Sequence, residues 1–520
     1  MHIFVQYRTE MVILLNITTF LDANMRRLSK NVFHCPERGT NYTSEEILSI
    51  ASGMAEKLTE KGIEKGDRVL IYLNNSSEYL FSYFAIWRIG AVAVPTNRVY
   101  TKFELSHMIE NAGVRLVITD EDGIASFEDH PTLLKYIPTA EIENMKNHPI
   151  LPPAPTNPDD LCQIQYTSGT TGKPKGAMLT HGNWATALAN ESDVMEFVES
   201  DVYLGIYPMG HVGLSWGISA LYAGALFIMM ERYDLEKYID LIEKHKVTAL
   251  SGMPPVIHSL VNCAKGTEKR IETVREIISG GGTLHHETWK TFHYRYNIPV
   301  VNAYGLSETI VIGTGTVIRP VDYATADKFQ SVGHPVCFSE VKIVDENEAS
   351  KELPQGEIGE IALRGPAVAK GYYGMPEETK QSFLSDGWFL TGDIGYLDKD
   401  LRLCLTDRKK DMIVMSGWKI YPTEVEEVLF KHPNVADVAV FGVAHPHRGE
   451  MPIAAVIWRG GCESPAELTD FAKEHLAGYK VPRHIITVKE LPRVNGWKLL
   501  RRELKSKYEP MFAEQTNETK

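Results

Sequence analysis

A glycine- and hydroxyl-rich stretch at residues 166–176, YTSGTTGKPKG, contains the residue types that bind a polyphosphate. Its glycines free the backbone for close approach to a ligand, and successive N–H groups in such turns form an anion-binding nest. A phosphate loop is therefore predicted, and its binding residues are Thr167, Ser168, Gly169, Thr170, Thr171, Gly172, Lys173 and Lys175. It is not a Walker A loop, because Thr167 and Pro174 occupy positions where that pattern needs Gly and Ser or Thr.

Further motifs with charged and aromatic residues follow this loop along the chain. They are YGLSET at 304–309, TGD at 391–393, DRKKD at 407–411 with SGWKIYP at 416–422, and PRVNGWKLLR at 492–501. In this order, the loop and these motifs resemble those of the adenylate-forming superfamily. That superfamily contains acyl-CoA synthetases, aryl-CoA ligases, luciferases and peptide-synthetase adenylation domains. The resemblance extends from about residue 20 to residue 504.

The resemblance implies a reaction in two steps that uses ATP, Mg²⁺ and coenzyme A. A carboxylate attacks the α-phosphate of ATP and gives acyl-AMP and pyrophosphate, and a thiol then attacks the acyl carbon and releases AMP. Because negative charge develops on the phosphorus and on the pyrophosphate, the first step needs positioned cations and N–H donors. The chain is therefore expected to be an AMP-forming acyl-CoA synthetase.

The same resemblance implies which residues are catalytic. It places Mg²⁺ beside Glu308 and the hydroxyl of Thr170, and Mg²⁺ prefers such hard oxygen ligands. It places the adenylating lysine at Lys498, a long flexible cation suited to bridging the acid and the α-phosphate. This last motif departs from the family pattern, because Trp497 precedes the lysine where the family usually has Gly.

Residues outside the loop are expected to bind the rest of the nucleotide. The ring of Tyr304 can stack on adenine, Asn302 can pair with its exocyclic amine, and the backbone at Gly281 lets the base lie close. Asp393, expected on a turn between strands, can accept charge-assisted hydrogen bonds from both ribose hydroxyls. Arg408 is expected to contact the ribose or the α-phosphate.

The segment YPMGHVGLSW at residues 207–216 resembles the acid-pocket motif of the family. It contains no Asp, whereas amino-acid-activating members bind the α-ammonium group with an acidic residue in this region. The predicted pocket residues are His211, Val212, Leu214, Gly281, Gly305 and Leu306. Because this lining is mainly apolar, the expected substrate is a hydrophobic acid such as a medium- or long-chain fatty acid.

Three alternatives to a fatty-acid ligase stay open. The first is an aryl-CoA ligase of the 4-coumarate type, and the second is an acyl-adenylate synthetase that loads a carrier protein. The third is a non-catalytic relative that only binds its ligands.

A hinge and a coenzyme A site are also implied by the resemblance. Lys410 aligns with the position at which family members rotate their C-terminal domain between the two steps. The segment that lines the pantetheine tunnel in the second pose contains Ser416, Gly417, Trp418, Lys419 and Tyr421. We therefore predict an ATP- and acid-binding domain over residues 1–408, with a β-rich subdomain from about 330, and a mobile domain over 409–520.

The elements that must position these residues alternate between helix and strand. Thr43 and Glu46 form a capping-box pattern that opens a helix. Two short apolar runs, at 68–73 and 91–95, flank a helical pattern at 78–89. This βαβ order predicts an α/β fold with mainly parallel sheets between helices. Beyond about residue 353, short strands with Gly and Asp turns predict a small β subdomain, followed after 408 by a smaller α+β unit.

Composition limits the class of protein and its partners. The chain has 520 residues, of which 43% are hydrophobic and 23% charged, as in globular proteins with several domains. Its net charge of −13 disfavours nucleic acid, which needs a basic face. The apolar run at 11–21 is too short to span a membrane. The expected partners are the acid, ATP and coenzyme A, in the cytoplasm, and a homodimer stays open.

Overall fold

The computed structural model describes residues 15–26, 30–167, 174–324, 331–461, 463–494 and 498–515. These residues belong to two compact units. The first takes its residues from Met1–Tyr233, Leu306–Thr314 and Gly365–Gln381, and the second from Asp234–Gly305, Gly315–Arg364 and Ser382–Lys520. The predicted boundary at residue 408 separates the parts of the chain that are expected to rotate between the two reaction steps. The division into compact units does not test such a rotation, so the boundary stays a prediction.

Helices and strands alternate up to residue 233, as the sequence predicts. The helices are α1 (Ile17–Met25), α2 (Ser44–Glu60), α3 (Ser77–Arg88), α4 (Lys102–Ala112), α5 (Ile142–Met145), α6 (His181–Met195) and α7 (Ser215–Ala223). The strands are β1 (Asn31–Cys35), β2 (Thr40–Thr43), β3 (Arg68–Tyr72), β4 (Val92–Thr96), β5 (Leu116–Thr119), β6 (Leu134–Tyr136), β7 (Leu161–Thr167), β8 (Lys175–Thr180), β9 (Val202–Gly205) and β10 (Leu226–Met229).

The remaining elements begin at residue 235. The helices are α8 (Leu235–His245), α9 (Pro254–Val261), α10 (Thr267–Arg270), α11 (His286–Tyr296), α12 (Pro376–Ser382), α13 (Pro422–Phe430), α14 (Pro465–His475) and α15 (Arg501–Gln515). The strands are β11 (Ala249–Ser251), β12 (Glu276–Ser279), β13 (Val300–Leu306), β14 (Val311–Val317), β15 (His334–Pro335), β16 (Glu340–Val344), β17 (Gly359–Arg364), β18 (Phe389–Leu397), β19 (Leu403–Arg408), β20 (Ile413–Met415), β21 (Trp418–Ile420), β22 (Val435–His445), β23 (Gly449–Trp458), β24 (His484–Thr487), β25 (Arg493–Val494) and β26 (Lys498–Leu499).

Two sheet regions of the first unit confirm the predicted parallel α/β fold. One is a six-stranded sheet in the order β6-β5-β3-β4-β7-β8, in which only the β7–β8 pair is antiparallel. The other contains the parallel strands β9, β10 and β1, with β2 antiparallel to β1. The β3-α3-β4 unit is the predicted βαβ unit. Its strands are almost entirely buried, which explains their continuous apolar sequences.

The capping box before α2 is confirmed in both directions. The N–H of Glu46 donates to Thr43 Oγ1 at 3.2 Å, and the N–H of Thr43 donates to Glu46 Oε2 at 2.8 Å. These bonds satisfy N–H groups that a helix start leaves without an intrahelical acceptor.

The second unit combines a parallel region with two antiparallel sheets. Strands β11, β12 and β13 are parallel. Strands β16 to β19 form a four-stranded antiparallel sheet, which is the predicted small β subdomain. The chain after residue 412 has its own buried apolar cluster around the β22–β23 hairpin, α13, α14 and α15. Helix α13 begins at Pro422, a residue type that is favoured in the first helical turn.

None of the described helices has both the length and the hydrophobicity that a membrane crossing requires.

A buried ion pair joins α1 to α3 and generates a stability prediction. The guanidinium of Arg88 contacts both carboxylate oxygens of Asp22 at 2.6 and 3.0 Å, and the two side chains are only 1% and 8% exposed. Replacing Asp22 by Ala leaves a buried charge unpaired, so the free energy of unfolding should fall by about 3–5 kcal/mol in urea titrations.

The control is Asp240→Ala, because the carboxylate of Asp240 pairs with Arg270 but is 67% exposed. The control should cost no more than about 1 kcal/mol. Equal losses in the two variants would contradict the assignment.

Candidate active site

Strands β7 and β8 form an antiparallel hairpin whose ends pair at Thr167 and Lys175. The predicted phosphate loop connects these two residues. The other predicted loop residues lie outside the described part of the chain: Ser168, Gly169, Thr170, Thr171, Gly172 and Lys173. The Nζ atom of Lys175 lies 5.0 Å from the centroid of the Tyr372 ring. The hairpin therefore fixes both ends of the loop, and an aromatic ring packs against the lysine at its exit.

The 3-10 turn Ser307–Thr309 carries the carboxylate predicted to bind Mg²⁺. Glu308 is 6% exposed, and its Oε1 accepts a 3.0 Å hydrogen bond from the hydroxyl of Tyr372. Mg²⁺ usually binds one or two carboxylates together with substrate phosphates, so a single buried carboxylate fits a metal ion carried by ATP. Across the described residues, no group of three or more His, Cys, Asp or Glu could hold a metal ion.

Three residues predicted to bind the nucleotide lie together in the second unit. The hydroxyl of Tyr304 donates to Asp393 Oδ2 at 2.9 Å, and Arg408 Nε lies 3.4 Å from Asp393 Oδ1. The side chain of Asp393 is 13% exposed. Burial, with the nearby charge of Asp393, raises the pKa of Tyr304 well above its usual value. The phenol therefore stays protonated and continues to donate at neutral pH.

The expectation that Asp393 lies on a turn between strands is wrong. The residue lies inside β18, which is one strand of 9 residues where the sequence predicts two shorter strands. The backbone is irregular at this point, because Gly392 has φ +71° and the pairing with β19 contains a register shift. Glu360 supports the irregular stretch: its Oε1 accepts from the N–H of Gly392 at 3.2 Å, and its Oε2 pairs with Lys409 Nζ at 2.7 Å.

Asn302 and Gly281 occupy different settings in the second unit. Asn302 lies in β13 and is 8% exposed, and its carbonyl accepts a 3.0 Å hydrogen bond from the N–H of Ile318. Gly281 follows β12, is exposed, and has φ +80°, a left-handed conformation that favours glycine. Their roles toward adenine stay predictions.

The predicted acid-pocket segment forms a 3-10 turn, Val212–Leu214, that leads directly into α7. Val212 and Leu214 are buried, and His211 is half-buried. Trp216 is 1% exposed and packs in the core of the first unit. The remaining predicted pocket residues are exposed or half-buried, and they are Gly281, Gly305 and Leu306.

A buried carboxylate on α6 holds the start of α7. Glu191 is fully buried, and its two oxygens accept from the hydroxyls of Ser215 at 2.5 Å and Ser219 at 3.0 Å. Burial raises the pKa of Glu191 to about 8, although the two hydroxyl groups oppose this shift. Because residues 211–214 immediately precede α7, Glu191 fixes the helix to which the pocket segment is attached.

Lys410 lies in an exposed turn between β19 and β20. Before this turn, Asp407 accepts from the N–H of Thr423 at 2.7 Å, and burial raises the pKa of Asp407 to about 6. After the turn, Asp411 Oδ2 lies 3.4 Å from Arg501 Nη1. The predicted hinge is therefore flanked by two carboxylates, each bound to a helix of the C-terminal part.

Helix α13 also contacts the start of α11. The ring of Phe430 stacks on His285 with centroids 4.8 Å apart, and His286 Nε2 lies 3.4 Å from Glu427 Oε1. Burial lowers the pKa of both histidines to about 4 and raises the pKa of Glu427 to about 7. Both histidines are therefore neutral at pH 7.

The predicted coenzyme A residues lie in the β20–β21 hairpin and directly before α13. They are Ser416, Gly417, Trp418, Lys419 and Tyr421. Trp418 is 60% exposed, and its ring stacks on Tyr479 with centroids 4.9 Å apart. Lys419 Nζ bonds to Glu346 Oε1 at 2.8 Å. The hairpin therefore carries an exposed tryptophan ring that packs against Tyr479.

Lys498 is the first residue of β26, and its backbone pairs with Val494 of β25. Trp497, which the sequence places where the family usually has Gly, lies outside the described residues. The catalytic role of Lys498 stays a prediction.

Three supporting residues were not predicted, namely Tyr372, Glu360 and Glu191. Each one binds a partner that lies far away in the sequence, so no local spacing indicates the contact. The sequence feature that could have indicated such residues is a polar side chain within a stretch of mostly apolar or small residues, as at ALANE and GYY.

Comparison with known proteins matches both parts of the chain to one family. The profile of the AMP-binding enzyme family matches residues 21–373, and the AMP-binding enzyme C-terminal domain matches residues 424–496. A long-chain-fatty-acid–CoA ligase of Bacillus subtilis (strain 168) is 33% identical, over 90% of this chain and 90% of the relative. A 4-coumarate–CoA ligase 3 of Oryza sativa subsp. japonica is 29% identical, over 91% of this chain and 88% of the relative. The crystal structure of ATP-bound MatB from Rhodopseudomonas palustris is 30% identical, with a TM-score of 0.89, over 96% of this chain and 100% of that chain.

The buried carboxyl group of Glu191 gives a pH-dependent prediction. Between pH 4.5 and about 8, the folded protein keeps Glu191 protonated while the unfolded chain ionises it, so this group makes stability fall as pH rises. Glu191→Gln cannot ionise. The stability of this variant relative to the parent should therefore increase from pH 5.5 to 7.5, by at most about 1.4 kcal/mol per pH unit.

Urea unfolding at both pH values measures this difference. Glu196→Gln, an exposed change at the end of the same helix, is the control and should show no such trend. A Glu191→Gln variant whose relative stability is independent of pH would show that the carboxyl titrates normally.

Proposed function

The chain belongs to the AMP-binding enzyme family of the adenylate-forming superfamily, and on that premise we propose its substrates and the roles of its residues. It is an AMP-forming acyl-CoA synthetase, an ATP-dependent acid–thiol ligase. The proposed acid is a medium- or long-chain fatty acid. It is activated as acyl-AMP with release of pyrophosphate, and its acyl group then passes to coenzyme A with release of AMP.

The observation that carries this proposal is the contact of Asp393 with both Tyr304 and Arg408. A carboxylate with a phenol on one oxygen and a guanidinium near the other is held in one orientation. Such a carboxylate can accept hydrogen bonds from two ribose hydroxyls, and the half-exposed Arg408 can reach the ribose or the α-phosphate. The hydroxyl of Tyr304 is tethered, which fixes the plane of the ring proposed to stack on adenine.

The first step needs positive charge around the phosphates. We assign this role to the phosphate loop between Thr167 and Lys175, whose N–H groups, hydroxyls and lysines bind the leaving pyrophosphate. Glu308 and Thr170 would hold Mg²⁺, which supplies charge neutralisation to the phosphates when bound. Lys498 bridges the carboxylate oxygen and the α-phosphate.

The nature of the acid is inferred from the segment before α7. Its residues Val212 and Leu214 are apolar, and in the sequence Gly281 and Gly282 carry no side chain that would restrict the length of the acid. The fatty-acid–CoA ligase of Bacillus subtilis supports this assignment. The 4-coumarate–CoA ligase of Oryza sativa favours the alternative, an aromatic acid.

The second step is assigned to the β20–β21 hairpin and to a rotation at Lys410. The exposed face of Trp418 and the adjacent Lys419 are suited to the pantetheine arm and the phosphates of coenzyme A. An exposed turn can absorb large φ and ψ changes, which supports Lys410 as the hinge between residues 1–408 and 409–520.

A panel of acids tests the substrate. Purified protein should convert Mg²⁺-ATP, coenzyme A and palmitate or octanoate into AMP, pyrophosphate and a thioester, all measured by chromatography. We expect kcat/KM for these acids to exceed that for 4-coumarate, because the proposed lining is mainly apolar. A preference for 4-coumarate would favour the aryl-CoA ligase. Formation of ADP and phosphate would contradict the reaction itself.

The two half-reactions test the role of Lys498. Lys498→Ala should abolish acid-dependent exchange of pyrophosphate into ATP, by about a thousandfold for a group that stabilises transition-state charge. Transfer from supplied acyl-AMP to coenzyme A should largely survive. The matched control is Lys489→Ala, an exposed lysine of the same region, which should leave both rates unchanged. Equal loss of both half-reactions in Lys498→Ala would remove the lysine from the first step.

A further inference from the structure

Residues 369–373, in the sequence AKGYY, form a short segment whose backbone is hydrogen-bonded on two sides. On one side, three backbone hydrogen bonds of 2.8 to 2.9 Å join the segment to β8, the strand that leaves the phosphate loop. On the other side, the N–H of Ala369 donates to the backbone carbonyl of Glu308 at 2.7 Å. The segment therefore connects the exit of the phosphate loop to the turn that carries the predicted Mg²⁺ ligand.

One side chain of this segment, that of Tyr372, also contacts both Glu308 and β8. Tyr372 is 7% exposed, and its hydroxyl donates to Glu308 Oε1 at 3.0 Å. Lys175 Nζ lies over the face of its ring, 5.0 Å from the ring centroid. A single tyrosine thus contacts both a carboxylate and an ammonium group, through two different parts of its side chain.

The chemistry of these two contacts differs from that of an ion pair. A phenol is neutral, so it restricts the rotamer of Glu308 without cancelling its charge, as a lysine or arginine partner would. The aromatic face attracts the ammonium of Lys175 through the ring quadrupole and leaves its N–H donors available to an anion. These two contacts therefore orient both groups without placing an opposite charge on either one.

We propose that Tyr372 is a positioning residue for the ATP-dependent step, which aligns Glu308 through its hydroxyl and Lys175 through its ring. This inference rests on the proposed function. A tyrosine with a purely structural role would need only its ring for packing, and in that case phenylalanine would replace it without consequence. Partners of metal-binding groups contribute about 10- to 100-fold to metal affinity or activity in many metalloproteins.

Binding of Mn²⁺ in place of Mg²⁺ gives a readout that does not require turnover. Full-length protein is saturated with a non-hydrolysable ATP analogue, and bound Mn²⁺ is measured by electron paramagnetic resonance. Tyr372→Phe should raise the Mn²⁺ concentration for half-saturation about tenfold or more. It should raise the Mg²⁺ requirement of pyrophosphate exchange in parallel, while the melting temperature stays close to that of the parent.

Two further variants separate the hydroxyl from the ring. Tyr373→Phe is the matched control, because the neighbouring tyrosine packs against the apolar cluster around Tyr166 and Leu70. Its metal titration should follow that of the parent. Tyr372→Leu removes the ring as well, so it should also raise the KM for ATP and weaken pyrophosphate inhibition, effects that Tyr372→Phe should not show.

The outcomes are distinguishable from failure of the proposed function. If the parent protein shows no acid-dependent pyrophosphate exchange, the proposed function is wrong. If the parent is active and Tyr372→Phe titrates Mn²⁺ like the parent, the role of the hydroxyl is overturned. If Tyr372→Leu and Tyr372→Phe have the same KM for ATP, the role of the ring is overturned.

Discussion

A hydrogen bond from a tyrosine hydroxyl holds each of two largely buried carboxyl groups at the candidate site. Tyr372 donates to Glu308 at 3.0 Å, and Tyr304 donates to Asp393 at 2.9 Å. A buried carboxylate is costly unless it is hydrogen-bonded, and a charged acceptor makes the bond stronger. A phenol satisfies this requirement without itself adding a charge, and Asp393 also has the guanidinium of Arg408 3.4 Å from its other oxygen. Residues 369–373 carry the donor Tyr372, and β18 carries the acceptor Asp393. The backbone of these two stretches therefore helps to bring each hydroxyl to its acceptor.

A second buried pair, between Arg501 and Glu426, has a structural role instead. Arg501 forms three hydrogen bonds of 2.7, 2.9 and 3.2 Å with Glu426, which is 4% exposed. This pair lies beside Asp411 and the turn at Lys410, so it anchors α13 and α15 next to the predicted hinge. Breaking such a pair is costly, because the remaining charge stays buried. We therefore expect the proposed rotation at Lys410 to preserve the Arg501–Glu426 pair.

The sequence predicted those features that depend on local pattern. The capping box at Thr43 and the βαβ unit around α3 follow from spacing alone, and both are present. The predicted turn at Asp393 failed because Gly-Asp is a turn signal, yet β18 continues through it with a bulge. The contact of Tyr372 with Glu308 spans 64 residues of sequence, so no local rule could indicate it. Long-range contacts of this kind depend on tertiary packing, which one sequence without homologues does not reveal.

In the proposed reaction, a carboxylate oxygen of the acid attacks the α-phosphorus of ATP, and the thiol of coenzyme A then displaces AMP. Transfer of ¹⁸O from doubly labelled palmitate tests both bonds at once. One ¹⁸O should appear in AMP, and the other should remain in the acyl-CoA carbonyl, as read by mass spectrometry after one turnover. Label in inorganic phosphate would show attack at the γ-phosphate and would contradict the account. Unlabelled AMP in the presence of thioester would show that acyl-AMP is not the intermediate.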